Sequence, residues 1–330
     1  MHMADQLRRH GFALVLGGGG AAGIAYCCGA LSALADVGGI DARTAKVMIG
    51  TSAGAIVAAD LRLGRGSDEI LEAATGAKLD GSSNHARAGW SSTTNLARRI
   101  LGSSVIMART SVPFGIRLPE PPSWLQRAFP GSLMAPSNRD WASDRYPEEW
   151  PDGELQIVAL DLESGRRVVL RGAGSGARHV NLAQAVRASC AVPGIYPPVR
   201  AGGRRLVDRG AQSASNLDLA AQTSCAAVIA LVPMGFDPLQ PPGYARSMVR
   251  MRVNSQLVRE AALVRRNAQL LILRPTGTGL RHHRINPMSA VGTEKVVTAA
   301  YESTAAQLSE GAGRRVIEFI KELNETPVDP

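Results

Sequence analysis

Short, nearly unbroken apolar runs alternate along the chain with longer stretches whose apolar residues recur every three to four positions. This is the pattern of strands buried on both faces and joined by helices. Residues 11–16 read as a strand and 21–37 as a helix. Residues 47–49 end a second strand, followed by a helix over 53–63. Strand, glycine loop, helix, strand, turn and helix predict a mainly parallel sheet covered by helices, with both turns at the same sheet edge.

From about residue 77 to 151 the pattern breaks. Gly, Ser, Pro and Arg interrupt the apolar runs, and Trp90, Trp124, Trp141 and Trp150 all fall here. The stretch reads as a Trp/Pro-rich insertion or cap, able to cover a site, touch lipid or simply form its own small core. Regular structure resumes with a strand over 155–162 and a hairpin through 165–170. A helix over 181–189 ends by Val192-Pro193-Gly194. Residues 205–207 then lead as a strand into Asp208. A buried strand over 226–232, a helix over 244–266, a strand over 270–274 and a helical region from about 287 to 330 complete one domain spanning 1–330.

Of the 330 residues, 45% are apolar and 20% charged, which excludes wholesale disorder and a fibrous protein. Cys27, Cys28, Cys190 and Cys225 show neither zinc spacing nor the density of a disulfide scaffold, so neither a metal nor a bridge is expected. No apolar run is long enough to span a bilayer and no leader pattern opens the sequence, which leads to an expectation of a cytoplasmic protein, membrane-peripheral at most. The net charge of +9 arises entirely in the second half: residues 1–165 carry 15 basic and 17 acidic side chains, residues 166–330 carry 22 and 11. Such a surface attracts anionic lipid or nucleic acid. No zinc-finger spacing or RNA-binding aromatic signature accompanies it, so nucleic acid is not an expected partner.

Chemistry concentrates at two glycine-framed turns, Gly17-Gly18-Gly19-Gly20-Ala21-Ala22-Gly23 and Gly50-Thr51-Ser52-Ala53-Gly54. In the second, the form G-x-S-x-G permits a strained strand-to-helix turn that displays Ser52 at a helix N-terminus. The first presents backbone N–H groups with no side chains in the way, suited to an oxygen that turns negative during acyl transfer. Together they point to an acyl hydrolase. The spacing of the first turn with Asp41 also fits a dinucleotide fingerprint, but that leaves the serine elbow unexplained, and a Gly-Lys-Ser/Thr ending for a nucleotide P-loop is lacking. Ser52 needs a proton acceptor. Asp208, at a strand end before Arg209-Gly210, is a candidate, while His282 and His283 lie in a basic loop.

These residues together resemble the patatin-like phospholipases. Gly18-Gly19-Gly20-Ala21-Ala22-Gly23 is similar to that family's oxyanion motif, and Gly50-Thr51-Ser52-Ala53-Gly54 to its nucleophile elbow. The segment from Ala188-Ser189-Cys190-Ala191-Val192-Pro193-Gly194 to Val199 is similar to the block that precedes the family's aspartate, and Asp208-Arg209-Gly210 falls where that aspartate stands. The resemblance implies a three-layer α/β/α fold and a Ser52–Asp208 dyad without histidine. It also implies an oxyanion hole from Gly18, Gly19 and Gly20 assisted by Ala53, with Gly23, Gly50, Gly54 and Gly210 as framing glycines. The substrate would be a lipid ester, phospholipid or neutral glycerolipid, and no cofactor or metal would be needed.

Two positions depart from the family pattern. Ala22 stands where a lysine or arginine is usual, which weakens the case for phospholipid over neutral ester. Arg209 stands where a glycine is usual, and a cation beside Asp208 would lower its basicity. Two alternatives therefore stay open: a catalytically impaired lipid- or partner-binding protein of the same fold, and an acyltransferase. Oligomeric state is not legible.

Overall fold

A computed structural model of the protein describes residues 10–75, 141–172, 180–193, 196, 198–210, 212–239, 247–277, 279–282 and 292–325. β1 (Phe12–Leu16) leads into α1 (Gly20–Asp36), and β2 (Val47–Thr51) into α2 (Ala53–Arg62) and α3 (Ser67–Thr75). After α4 (Trp141–Arg145) come β3 (Glu154–Asp161), β4 (Arg167–Leu170), α5 (Leu182–Ser189), β5 (Val199–Ala201) and β6 (Arg204–Asp208). β7 (Ala227–Leu231), α6 (Ser247–Val264), β8 (Gln269–Leu273), α7 (Thr293–Ser309) and α8 (Gly311–Glu325) close the chain.

The strands form one eight-stranded sheet in the order β5-β6-β3-β2-β1-β7-β8, with β4 also paired to β3. β3, β2, β1, β7 and β8 run parallel, whereas β4, β5 and β6 join antiparallel. β4 lines one edge of β3 while β2 and β6 share the other end to end, so the end of β2 meets the end of β6: Thr51 is opposite Val158, and Asp208 is opposite the next residue, Ala159.

Both sheet faces are covered, which is why β1 and β2 are apolar at every position but the last two of β2. Phe12, Leu14, Leu16 and Met48 point into a core shared with α1, α2, α5, α7 and α8. Ala13, Val15, Val47 and Ile49 point into a second core under α6 and the 3-10 turn Leu217–Gln222. The result is a three-layer α/β/α arrangement.

The insertion expected from residue 77 lies outside the described residues as far as 140, with Trp90 and Trp124. Residues 141–150 lie on the main body: Trp141 and Trp150 pack against the larger core, and the Trp150 indole donates to the Val180 carbonyl at 2.9 Å. Asp60, fully buried on α2, ties this segment down by accepting from Arg65 at 2.6 Å and from Arg145. A buried carboxylate needs such partners, because losing one leaves an uncompensated charge.

Candidate active site

Ser52 stands between the last residue of β2 and the first of α2, with φ 54° and ψ −121°. Only one other described non-glycine residue, Asn216, has positive φ. This strained turn keeps the side chain from capping its own helix, so the hydroxyl remains available. The turn requires glycine nearby: a Cβ on Gly54 would sit 2.0 Å from the Leu16 carbonyl oxygen, and one on Gly50 2.6 Å from Ala55 Cα.

Gly18 lies beside the elbow, where an added Cβ would come within 3.2 Å of Ser52 Cβ. Its own N–H, however, donates to the Ala214 carbonyl at 2.8 Å. Its part is therefore to leave room next to Ser52 and anchor the loop, rather than to supply an oxyanion donor. The first intrahelical bond of α1 runs from Gly23 to Gly19, so the first-turn amides have no partner within the helix. Among the described residues none of the Gly19, Gly20 and Ala53 amides meets a backbone acceptor. The first turns of α1 and α2 also pack together, a Cβ on Gly23 falling 3.3 Å from Ala53 Cβ. Two helix N-termini thus flank one serine, and both favour negative charge there.

Asp208 ends β6 and is 4% exposed. Burial raises its pKa to about 6, against the smaller opposing effects of a hydrogen bond with the Ser52 hydroxyl and one from the Gly210 N–H. The latter bond is 2.6 Å long, and a Cβ on Gly210 would lie 3.0 Å from the same carboxylate oxygen. The structure therefore brings together the serine and the aspartate that the sequence singled out.

Arg209 does not approach this carboxylate. Its Nε donates to Asn216 Oδ1 at 2.7 Å and its Nη1 to Gln212 Oε1 at 3.0 Å. Burial, and then the neighbouring Arg167, lower its pKa to about 10, so it stays charged at neutral pH. Ala22 is buried in α1 and brings no cation to the loop. Asp41 pairs with Arg43 on the surface, an arrangement unlike a ribose site. His282 is exposed beside the 3-10 turn Gly279–Arg281, and His283 lies outside the described residues. Among the described residues no group of three His, Cys, Asp or Glu side chains could hold a metal.

One support was invisible in the sequence as chemistry. The Ser189 hydroxyl accepts the Ser52 N–H at 2.9 Å and donates to the Val158 carbonyl at 2.6 Å. The next residue, Cys190, donates its thiol to the Ser52 carbonyl at 3.4 Å, and the Ala191 carbonyl accepts the Asp208 N–H at 2.9 Å. Burial, then the nearby Asp208, push the Cys190 thiol pKa up, so it is no competing nucleophile. α5 is positioned for this by an Asn181–Gln184 capping box at its start.

A serine on a strand-elbow-helix turn beside a buried strand-end aspartate, on a three-layer α/β/α scaffold, is an arrangement suited to acyl transfer. The sequence profile of the patatin-like phospholipases matches residues 14–221, and the chain belongs to that family. Among solved structures, VipD from Legionella pneumophila aligns with a TM-score of 0.45 and 16% identity over 94% of this chain and 67% of VipD. The type III effector ExoU aligns with a TM-score of 0.41 and 15% identity over 94% of this chain and 53% of ExoU. ExoU of Pseudomonas aeruginosa in complex with SpcU aligns at 0.32 and 17%, over 96% of this chain and 60% of that one. No curated protein sequence matches the chain.

Proposed function

We propose that the protein is a serine acyl hydrolase that cleaves lipid ester bonds through Ser52 and Asp208, without histidine, metal or cofactor. The observation that carries this reading is the Ser52 hydroxyl, displayed by a strained turn beside two helix N-termini and within interaction reach of the buried Asp208 carboxylate. With a pKa of about 6, Asp208 is mostly ionised at neutral pH yet more basic than an ordinary carboxylate.

In this mechanism Ser52 Oγ adds to the ester carbonyl as Asp208 takes its proton. The carbonyl oxygen, now negative, rests on the Gly19 and Gly20 amides with help from Ala53. Collapse breaks the ester bond and the departing alcohol takes the proton from Asp208, leaving an acyl-serine. Water then adds to the acyl carbonyl while giving a proton to Asp208. Expulsion of Ser52 Oγ releases the fatty acid and returns that proton to the serine. With a second alcohol in place of water the same steps give acyl transfer.

The course of the Arg209 side chain favours a working site over an impaired one, because its charge goes to Asn216 and Gln212. Lipid would be met by peripheral contact with an anionic membrane. In support, the exposed face of α6 carries Arg252 and Arg259 among Met251, Val258 and Leu263 and no exposed acid, and Arg265 and Arg266 are exposed in the turn that follows. No helix among the described residues is long and apolar enough to cross a membrane.

Fluorophosphonate labelling and p-nitrophenyl acyl ester turnover test the assignment. Both are expected to vanish in Ser52→Ala; labelling that persists in a folded Ser52→Ala protein would overturn it.

A further inference from the structure

Asn216 is fully buried, holds a left-handed conformation at φ 49°, and shares its amide between its own loop and the residues next to the two candidate catalytic residues. Its Nδ2 donates to Thr51 Oγ1 and to the Ser213 carbonyl, each at 3.0 Å. Its Oδ1 accepts from Arg209 Nε. Thr51 immediately precedes Ser52, and Arg209 immediately follows Asp208. One side chain thus joins the end of β2 to the end of β6 where the two strands meet along one edge of β3.

The amide's orientation is determined by its partners. A guanidinium can only donate, so the oxygen must face Arg209 and the NH₂ must face Thr51. The second arm of Arg209, on Gln212 Oε1, holds the fork in place. Beneath, Glu260 of α6 accepts from Ser213 Oγ at 2.6 Å, Ser215 Oγ at 2.7 Å and the Leu217 N–H at 2.8 Å, clamping the loop on both sides of Asn216. Ser213 Oγ in turn accepts the Asn216 N–H at 2.9 Å.

We infer that Arg209 and Asn216 are positioning residues whose Arg209–Asn216–Thr51 bridge sets the separation of Ser52 from Asp208. The inference rests on the proposed dyad. It explains why an arginine is accommodated after the aspartate: it supplies the donor that orients the bridging amide. Ser189 at the end of α5 and Ala191 just beyond it link the same two residues, so the pair is held by two independent ties, and loosening one displaces Ser52 from Asp208 without removing either.

Kinetics of Asn216→Gly, Thr51→Val and Arg209→Lys on a p-nitrophenyl acyl ester test this. Glycine tolerates the left-handed conformation, and valine is nearly isosteric with threonine. Each variant is expected to lose about 10- to 100-fold in kcat, because small misplacements of reacting groups have effects of this order. KM should change little. The acid limb of the pH profile should move upward as the Ser52 hydrogen bond that lowers the Asp208 pKa weakens. A merely structural role would lower the melting temperature of Asn216→Gly and leave kcat and the pH profile of the folded fraction unchanged. That result, or wild-type kcat in Thr51→Val, would overturn the inference, and so would faster turnover by Arg209→Gly. If Asn216→Gly fails to fold, Thr51→Val and Arg209→Lys decide the matter alone. Retained turnover in Ser52→Ala would instead strike the dyad itself, so the two failures are distinct.

Discussion

The Ser189 hydroxyl accepts a hydrogen bond from the Ser52 N–H at 2.9 Å and donates one to the Val158 carbonyl at 2.6 Å. The elbow is thereby fastened to β3, along whose edge β2 and β6 meet, from a helix far along the chain. Replacing Ser189 with alanine strands a buried N–H and a buried C=O, each worth about 1–3 kcal/mol when left unpaired. The Ser189→Ala protein is expected to melt at lower temperature and to lose at least about tenfold in kcat as the elbow shifts. Steady-state kinetics with a thermal melt check both, and wild-type kcat in a destabilised variant would confine Ser189 to folding.

Asp208 links stability to catalysis in opposite senses. Its pKa in the fold is about 6, above the ordinary 3.8, because burial disfavours the ionised form. Below about pH 4 the carboxyl is protonated in folded and unfolded chains alike, and no penalty arises. As pH climbs from 4 through 6 the unfolded chain releases its proton first, so stability falls, reaching a loss of about 3 kcal/mol above pH 6. Denaturation of Asp208→Asn across this range should therefore lack that decline and leave the variant relatively more stable at pH 7.5 than at pH 4. Turnover runs the other way: kcat/KM of the native enzyme should rise through an apparent pKa of about 6, and Asp208→Asn should lose on the order of 100- to 10,000-fold. A pH–rate profile without that limb would remove Asp208 as the base.

Much of this site was legible because its chemistry is written in contiguous residues. The strand before each glycine turn is an apolar run, and Ser52, Gly54 and Gly210 sit in motifs only a few residues long. The strands β1, β2, β3, β7 and β8 were found within a residue or two for the same reason, being buried on both faces. β5 went unread: it is three residues long, and its Gly202-Gly203 turn, with φ 58° and 74°, is preceded by prolines that break the apolar pattern. α3 went unread too, although Asp68 and Glu69 in its first turn are the acidic residues a helix start favours. The supports from Ser189 and Asn216 could not be read at all, since each joins groups that are distant in sequence and meet only once β3 has brought β2 and β6 together. Arg209 looked like an obstruction for the same reason: nothing in its neighbours along the chain reveals that Asn216 and Gln212 receive its fork.

The exposed face of α6 gives the membrane proposal a separate test. Arg252 and Arg259 on the helix and Arg265 and Arg266 in the turn after it are exposed, and Met251, Val258 and Leu263 are 54%, 62% and 42% exposed among them. Basic residues held close to an anionic bilayer contribute about 1 kcal/mol each, and the attraction fades within a Debye length of roughly 8 Å at physiological salt. Changing Arg252, Arg259 and Arg266 together to glutamine should therefore lower partitioning onto phosphatidylglycerol-containing vesicles by on the order of 100-fold. Binding to phosphatidylcholine vesicles should be weak for both proteins, and raising the salt should erase most of the difference. Vesicle co-sedimentation reads this directly, with circular dichroism to verify that the triple variant is folded. Equal sedimentation of native and variant protein on anionic vesicles would show that the C-terminal excess of positive charge acts elsewhere on the surface and that α6 does not meet the bilayer.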